Sequence, residues 1–432
     1  MLTASKSRTP LHVQACVVTL LVAFSVMSYF DRTIMSIAGP VIMKEFSLSE
    51  TSMGAVFSAF LLSYALMNLP GGHLADRFGP RLVLTVSNLG TAVFTGLTAL
   101  GGKPGLGTYL GIVPSFLLIR LAMGFFTGPL YPSCARTTAN WVSEGQRARV
   151  WGLIAAGAGL GGATSPLLFS WMIGRYGWRM SFVLAAIVTG VLAAVWFSYV
   201  RDHPSEHPSI AHETFESLAA TAPSQLGKTE KTPWKLLLTN RSLMLLTVGY
   251  FAVNYFEYIY FFWIYYYLGE VRHLGHTESA VAATIVFLTW MVMSPLGGWI
   301  SDRLVVRWGP KNGRRVVAMV GLTLGAALLC IGINLTGTVA TVAALCLSFG
   351  FASSSDGPYW ATAISLGGRR VGAACGILNT GGNLGGVAPY IAPLIAAHAG
   401  WTWGLYTASI VLMMAVVLWF FIDPAAGVTE PA

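Results

Sequence analysis

Five charged side chains interrupt otherwise apolar stretches of this 432-residue chain: Asp31, Arg32, Arg120, Glu257 and Asp356. A charge facing lipid is costly, so each of the five is expected to face inward, with a partner and a task. Ser25, Tyr29, Arg32 and Ser36 recur at spacings of four, three and four, which puts them on one helical stripe. A guanidinium flanked by a phenol and hydroxyls suits a carboxylate, clamped by paired charge-assisted hydrogen bonds. The plainer alternative is that Arg32 neutralises its neighbour Asp31. Asp31 is rotated by about 100° from Arg32, which leaves it free to meet Arg120. An acid that alternates between a paired, ionised state and a desolvated, protonated one is a proton carrier; a fixed Asp31–Arg120 bridge is the other reading.

Glu257 lies in NYFEYIYFFWIYYYL, the most aromatic run of the chain, where Tyr250, Asn254, Glu257, Tyr258 and Phe261 share a helical face. That face reads as a gate or cavity wall, or as packing and an interfacial aromatic belt, the belt applying above all to Tyr265, Tyr266 and Tyr267. Asp356 lies in SSSDGPYW, where Gly357 and Pro358 should bend a helix at membrane depth and bring Trp360 toward a bound substrate. Asn379 and Asn383 are one helical turn apart; they read either as amides for substrate hydroxyls or as interhelical hydrogen bonds. The adjacent Gly381, Gly382, Gly385 and Gly386 permit close helix contact.

The elements that must position these residues follow from composition. Hydrophobic residues make up 55% of the chain, charged residues 10%, and the mean hydropathy is +0.65. Soluble domains carry about 25% charged residues, so a soluble enzyme, a disordered chain and a disulfide scaffold are excluded. Apolar runs at 12–39, 51–74, 82–102, 110–138, 148–173 and 178–200 read as six transmembrane helices, and those at 242–268, 278–300, 315–334, 337–364, 371–397 and 402–422 as six more. Domains are expected at 1–200 and 242–432, joined by a polar linker at 201–241. Of the Lys and Arg residues in loops, 19 fall on the side of the N-terminal tail and 5 opposite, which places both termini in the cytoplasm. Arg175 and Arg179 depart from that bias.

Three patterns carry no chemistry. Gly157-x-Gly159-x-x-Gly162 lies inside an apolar helix with no strand before it, and reads as helix packing rather than a dinucleotide loop. His203, His207 and His212 read as solvated linker residues, not a metal site. The five cysteines have no paired spacing and read as buried free thiols.

An internal repeat marks two halves. GGHLADRFGPR at 71–81 and GGWISDRLVVRWGPKNGRR at 297–315 share Gly-Gly, Asp-Arg and Gly-Pro followed by a basic residue, six helices apart. Asp76 and Arg77, with Asp302 and Arg303 in the second copy, sit at cytoplasmic helix ends. Arg147 and Arg149 are candidate partners for Asp76, forming a latch between conformations.

At these residues the sequence resembles the major facilitator superfamily. Gly72, Leu74, Ala75, Asp76, Arg77, Gly79 and Arg81 match the signature between its second and third helices, and Arg120 with Gly124 its fourth-helix signature. YFDRTIMSIAGPVIMKEFSLS, NWVSEGQRARVWGL and GWRMSF resemble the anion:cation symporter branch, which includes sugar-acid and phthalate-type permeases. The resemblance implies an all-α integral membrane fold of twelve transmembrane helices in two pseudo-symmetric six-helix bundles. It also implies that Tyr29, Arg32 and Tyr64 line the substrate site. One departure matters: Thr127 stands where related proton-coupled carriers have Glu. Coupling then rests on Asp31 alone, recruits Glu257 or Asp356, or is absent.

The expectation is a monomeric carrier of a small organic anion (a carboxylate), in a bacterial inner membrane, working by alternating access with a proton as coupling ion. No other cofactor, metal, nucleic-acid partner or enzymatic activity is expected. An uncoupled facilitator, exporter or exchanger is the alternative, and a membrane receptor the reading from another class.

Overall fold

The computed structural model describes residues 11–142, 144–209, 234–367 and 371–424, without the side chains of 11, 144–149 and 371–372. Twelve long helices cross the molecule. The first half comprises α1 (Leu11–Phe46), α2 (Glu50–Phe78), α3 (Pro80–Leu97), α4 (Ile112–Trp141), α5 (144–176) and α6 (178–199). The second comprises α7 (Arg241–Tyr266), α8 (276–308), α9 (310–334), α10 (Thr338–Gly367), α11 (371–399) and α12 (Trp401–Trp419). Among the described residues eight helical stretches are long and apolar enough to span a membrane, and two of these each contain a pair of helices meeting at a glycine.

Burial is inverted relative to a water-soluble protein. Val86, Leu89 and Val93 on α3, Ile187, Val191 and Val195 on α6 and Ile410 on α12 are exposed, as lipid-facing residues should be. The polar Thr91, Asn88 and Thr95 of α3 are buried instead. Helix α1 continues to Phe46 rather than ending at 39, because Pro40 removes one backbone bond while Ile42 and Met43 remain in the core.

The repeated loop phrase has a visible job. Gly79, between α2 and α3, has φ +83°, and a Cβ there would sit 2.6 Å from the Asp202 carboxylate at the end of α6. Asp202 accepts the backbone N–H of Arg81 (2.8 Å), while the Arg81 guanidinium donates to the Phe197 carbonyl (2.6 Å). In the second half Gly309 has φ +76°, Lys311 pairs with Asp423 (3.2 Å), and Arg315 donates to the Phe420 carbonyl (3.1 Å). Both copies thus tie the start of a third helix to the end of a sixth. Gly177 and Gly400 repeat the same backbone at the opposite end of the molecule, before Trp178 and Trp401. The phrases RFGPR, RYGWR and RWGPK mark three of these four turns in the sequence, and they reveal a three-helix repeat nested within each half.

The halves meet along α2–α11, α1–α7 and α5–α8. Gly157 packs on Val22 of α1, and Gly159 and Gly162 on Met291 and Phe287 of α8, so the glycine pattern serves helix packing. At the Glu50 end the contact is sealed. Tyr266 of α7 hydrogen-bonds Glu50 of α2, Phe57 stacks on Phe262 (5.0 Å), and Gly54 abuts the Pro389 carbonyl. A cavity of about 580 Å³, lined by Lys44, Glu50, Tyr266 and Glu270 among others, lies just outside this seal. At the Asp76 end the described ion pairs each stay within one half.

Three readings are corrected. Tyr265 and Tyr267 are buried in protein rather than forming an interfacial belt, because α7 is enclosed by its neighbours over most of its length. His207 is buried against Trp141 and Tyr199 with its Nδ1 accepting the Ser209 N–H, so it docks the linker instead of being solvated. Cys134 and Cys346 are buried free thiols, whereas Cys16 is exposed. Arg179 owes its place opposite the basic face to a pair with Glu45 (2.7 Å) and stacking on Trp178 (4.3 Å).

Candidate functional site

Arg32 lies in the middle of α1, 2% exposed, at the contact between the halves. Its guanidinium carbon is 4.7 Å from the Tyr29 ring centre, 4.5 Å from that of Tyr64 and 5.4 Å from that of Phe60. Cation–π contacts hold the charge flat between rings. The Nε and Nη2 donors have no partner, although both are buried. Asp31 does not neutralise it by an ion pair, since among the described residues the ion pairs are Arg136–Asp76, Arg179–Glu45 and Lys311–Asp423. A positive fork with free donors is therefore set in an aromatic slot. The remainder of the stripe serves packing: Ser25 donates to the Ile154 carbonyl (2.7 Å) and Ser36 to its own Thr33 carbonyl (2.7 Å).

Asp31 points away from Arg32, as helix geometry requires, but its direct partner is Thr189 on α6 and not Arg120. The Thr189 hydroxyl donates to Oδ2 (2.7 Å), and Oδ1 has no hydrogen bond. Arg120, fully buried on α4, donates to the Arg32 carbonyl (3.3 Å) and contacts the Met123 sulfur (3.1 Å), with the Phe60 ring 4.8 Å away. It braces the backbone that carries Arg32. Thr127 is buried against α3, its hydroxyl within 2.9 Å of that of Thr91 and donating to the Met123 carbonyl (2.8 Å).

The second half supplies the facing wall. Tyr258 donates to the Asn383 side-chain oxygen, and the Asn383 side-chain amide in turn donates to the backbone carbonyl (2.8 Å) and side-chain oxygen (3.0 Å) of Asn379. The two amides thus share a face and also bridge α7 to α11. Glycines make that approach close: a Cβ at Gly385 would meet the Phe251 carbonyl at 2.7 Å. Helix α10 breaks at Ser354 and Ser355, just before Gly357-Pro358, so that Asp356 opens its second segment. Asp356 Oδ2 accepts from Trp290 (3.3 Å) and Ser294 (3.1 Å), and Trp360 donates to the Tyr250 hydroxyl (3.1 Å). Glu257, buried on α7, faces Ser353 and Asp356. The Trp290 ring lies tilted 5.6 Å from that of Tyr29 and joins the two walls.

Phe60, Thr189 and Trp290 were missed in the sequence. Thr189 and Trp290 are isolated polar-bearing residues within apolar runs, which is the one signal they offered; Phe60 offered none. The latch residues are scattered. Asp76 pairs with Arg136 of α4 (3.4 Å), and the side chains of Arg147 and Arg149 lie outside the described residues. Arg77 and Arg303 lie over the nearby rings of Phe78 (5.2 Å) and Trp299 (4.3 Å), and Asp302 sits near Arg314.

A family model for the Major Facilitator Superfamily matches residues 21–388. The chain belongs to that superfamily. A probable sulfoacetate transporter of Cupriavidus necator is 28% identical over 413 residues, covering 94% of this chain and 93% of that protein. A hexuronate transporter of Bacillus subtilis is 30% identical over 348 residues, covering 80% and 78%. Among solved structures, a bacterial homologue of the human lysosomal transporter Spinster superposes with a TM-score of 0.76 over 95% of this chain and 97% of its own, at 15% identity. That last likeness shows the major facilitator fold: twelve helices in two pseudo-symmetric bundles. As a superfamily member the chain is a membrane-embedded transporter and not an enzyme.

Proposed function

We propose that the protein is a secondary transporter of small organic anions, working by alternating access around Arg32 and coupled to protons. The observation that carries the reading is the buried guanidinium between Tyr29 and Tyr64, with two donors that nothing in the described structure satisfies. A carboxylate or sulfonate bound there would accept both bonds and cancel the charge. The related sulfoacetate and hexuronate transporters are named for substrates of this chemistry. Tyr64, Tyr258 and the Asn379–Asn383 pair border the anion and offer polar groups to the rest of the substrate, with Trp360 beyond them.

Asp31 is the proton carrier in this reading. It is buried, has one free oxygen, and is held by a neutral hydroxyl instead of a cation. The basic-loop bias supports cytoplasmic termini, which makes the sealed Glu50 end the outer one. The test is uptake into proteoliposomes: accumulation follows an inward proton gradient and collapses with a protonophore, and Asp31→Asn retains exchange while losing gradient-driven accumulation. Accumulation indifferent to the gradient sinks the coupling and leaves the carrier intact. Thr127 favours that second reading, an uncoupled exchanger or facilitator, because its hydroxyl is already committed to Thr91 and Met123.

A further inference from the structure

Buried charge is unevenly divided between the halves. The first half holds Arg32 and Arg120 against the single Asp31. In the second, Glu257 is only 6% exposed, with Oε1 unpartnered, and Asp356 has a buried Oδ1 that is likewise unpartnered. No Lys, Arg or His among the described residues lies within ion-pair distance of either carboxylate. The helix segment that starts at Asp356 places its N-terminal dipole at that residue, while Glu257 faces the neutral Ser353 and the Asp356 carboxyl. Two buried carboxylates without a cation are costly to keep ionised unless something positive joins them.

Their position says what that is. Trp290 donates its indole N–H to Asp356 and packs against Tyr29, which also neighbours Phe261 and the Arg32 guanidinium. Asp356 therefore lies one indole away from the anion clamp, on the opposite half, with Glu257 beside it. An aromatic cluster adjoins Asp356: Trp290 contacts it directly, Phe261 lies 5.6 Å from Trp290, and Tyr250 lies 6.2 Å from Trp360. Aromatic faces beside carboxylates are the chemistry that recognises an ammonium group.

Resting on the carboxylate-carrier reading above, we propose that the substrate also carries an ammonium group, which Glu257 and Asp356 receive while Arg32 holds the acid. A dipolar substrate completes both poles at once and draws the halves together. A dianion of the same length presents a second negative charge to two carboxylates and is rejected.

The experiment measures binding by thermal shift, using straight-chain ω-amino acids of butyrate to octanoate length, each beside the monocarboxylate and the α,ω-dicarboxylate of equal length. At least one ω-amino acid should bind about tenfold more tightly than its monocarboxylate, with the dicarboxylate weakest. Glu257→Gln and Asp356→Asn should each bring that ratio close to unity, and Arg32→Ala should weaken binding of the whole panel by about 10- to 100-fold. Monocarboxylates that bind through Arg32 with no gain from the ammonium overturn the inference and leave the carrier reading standing. A Glu257→Gln protein that keeps the ammonium preference but loses proton-driven accumulation overturns it in favour of a proton site. Stabilisation by sodium ion that Glu257→Gln removes overturns it in favour of a metal-cation site. If no member of the panel binds through Arg32, both readings fall.

Discussion

Arg32 shows how a single residue type can be dictated by its surroundings. Its guanidinium is planar and lies close to the Tyr29 and Tyr64 rings, so its Nε and Nη2 donors are held at fixed directions. Lysine offers a point charge on a flexible stem and neither fork nor flat face. Arg32→Lys and Arg32→Ala should both weaken anion binding, by about 10- to 100-fold, as read by thermal shift or counterflow. Full retention by lysine would show that charge suffices and that the paired geometry is irrelevant. The arginine itself was legible in the sequence, because a charge within an apolar run has few explanations. The partner of Asp31 was not. Thr189 is 158 residues away, and a lone hydroxyl in a helix has no period to betray its direction. Phe60 was illegible, and the single polar atom of Trp290 a weak signal, for a related reason: aromatic residues fill lipid-facing, packed and ligand-facing positions alike.

At the scale of elements, hydropathy located all twelve helices, since each must satisfy its backbone internally over the bilayer thickness. It did not show how closely the helices approach, which depends on individual small residues. Gly124 of α4 and Gly54 of α2 make the point. A Cβ at Gly124 would sit 2.2 Å from the Phe60 carbonyl within the first half, and one at Gly54 2.1 Å from the Pro389 carbonyl of the other half. Neither backbone oxygen can move aside alone. Gly124→Ala must pry α4 from α2 and should destabilise the protein by about 1–3 kcal/mol, lowering its apparent melting temperature in detergent. Gly54→Ala instead wedges apart a contact that transport must break in any case. It should leave the melting temperature nearly unchanged and increase labelling of a cysteine placed at Thr51 by a membrane-impermeant maleimide. Equal loss of stability in the two variants would mean that the halves form one inseparable core, contrary to alternating access.

For the whole molecule, the two ends are built differently, and the difference assigns them different work. At the Asp76 end the turns are fastened inside each half, by Arg81 with Asp202 and by Lys311 with Asp423. Such clamps keep a bundle rigid while it rocks, and they do not favour one state of the transporter over another. At the Glu50 end the Tyr266–Glu50 bond joins the halves and exists only while that end is closed. Only an interaction that differs between two states can bias their populations. Tyr266→Phe deletes the hydroxyl and should raise labelling at the Thr51→Cys position by about two- to tenfold. Lys311→Ala cuts an exposed pair within one half and should leave that labelling unmoved. If both substitutions change it alike, the clamps would be part of the switch, and the halves could not be moving as rigid bodies. If Tyr266→Phe alone opens the Glu50 end, the bond is a gate whose strength sets how often the Arg32 site is offered to that side.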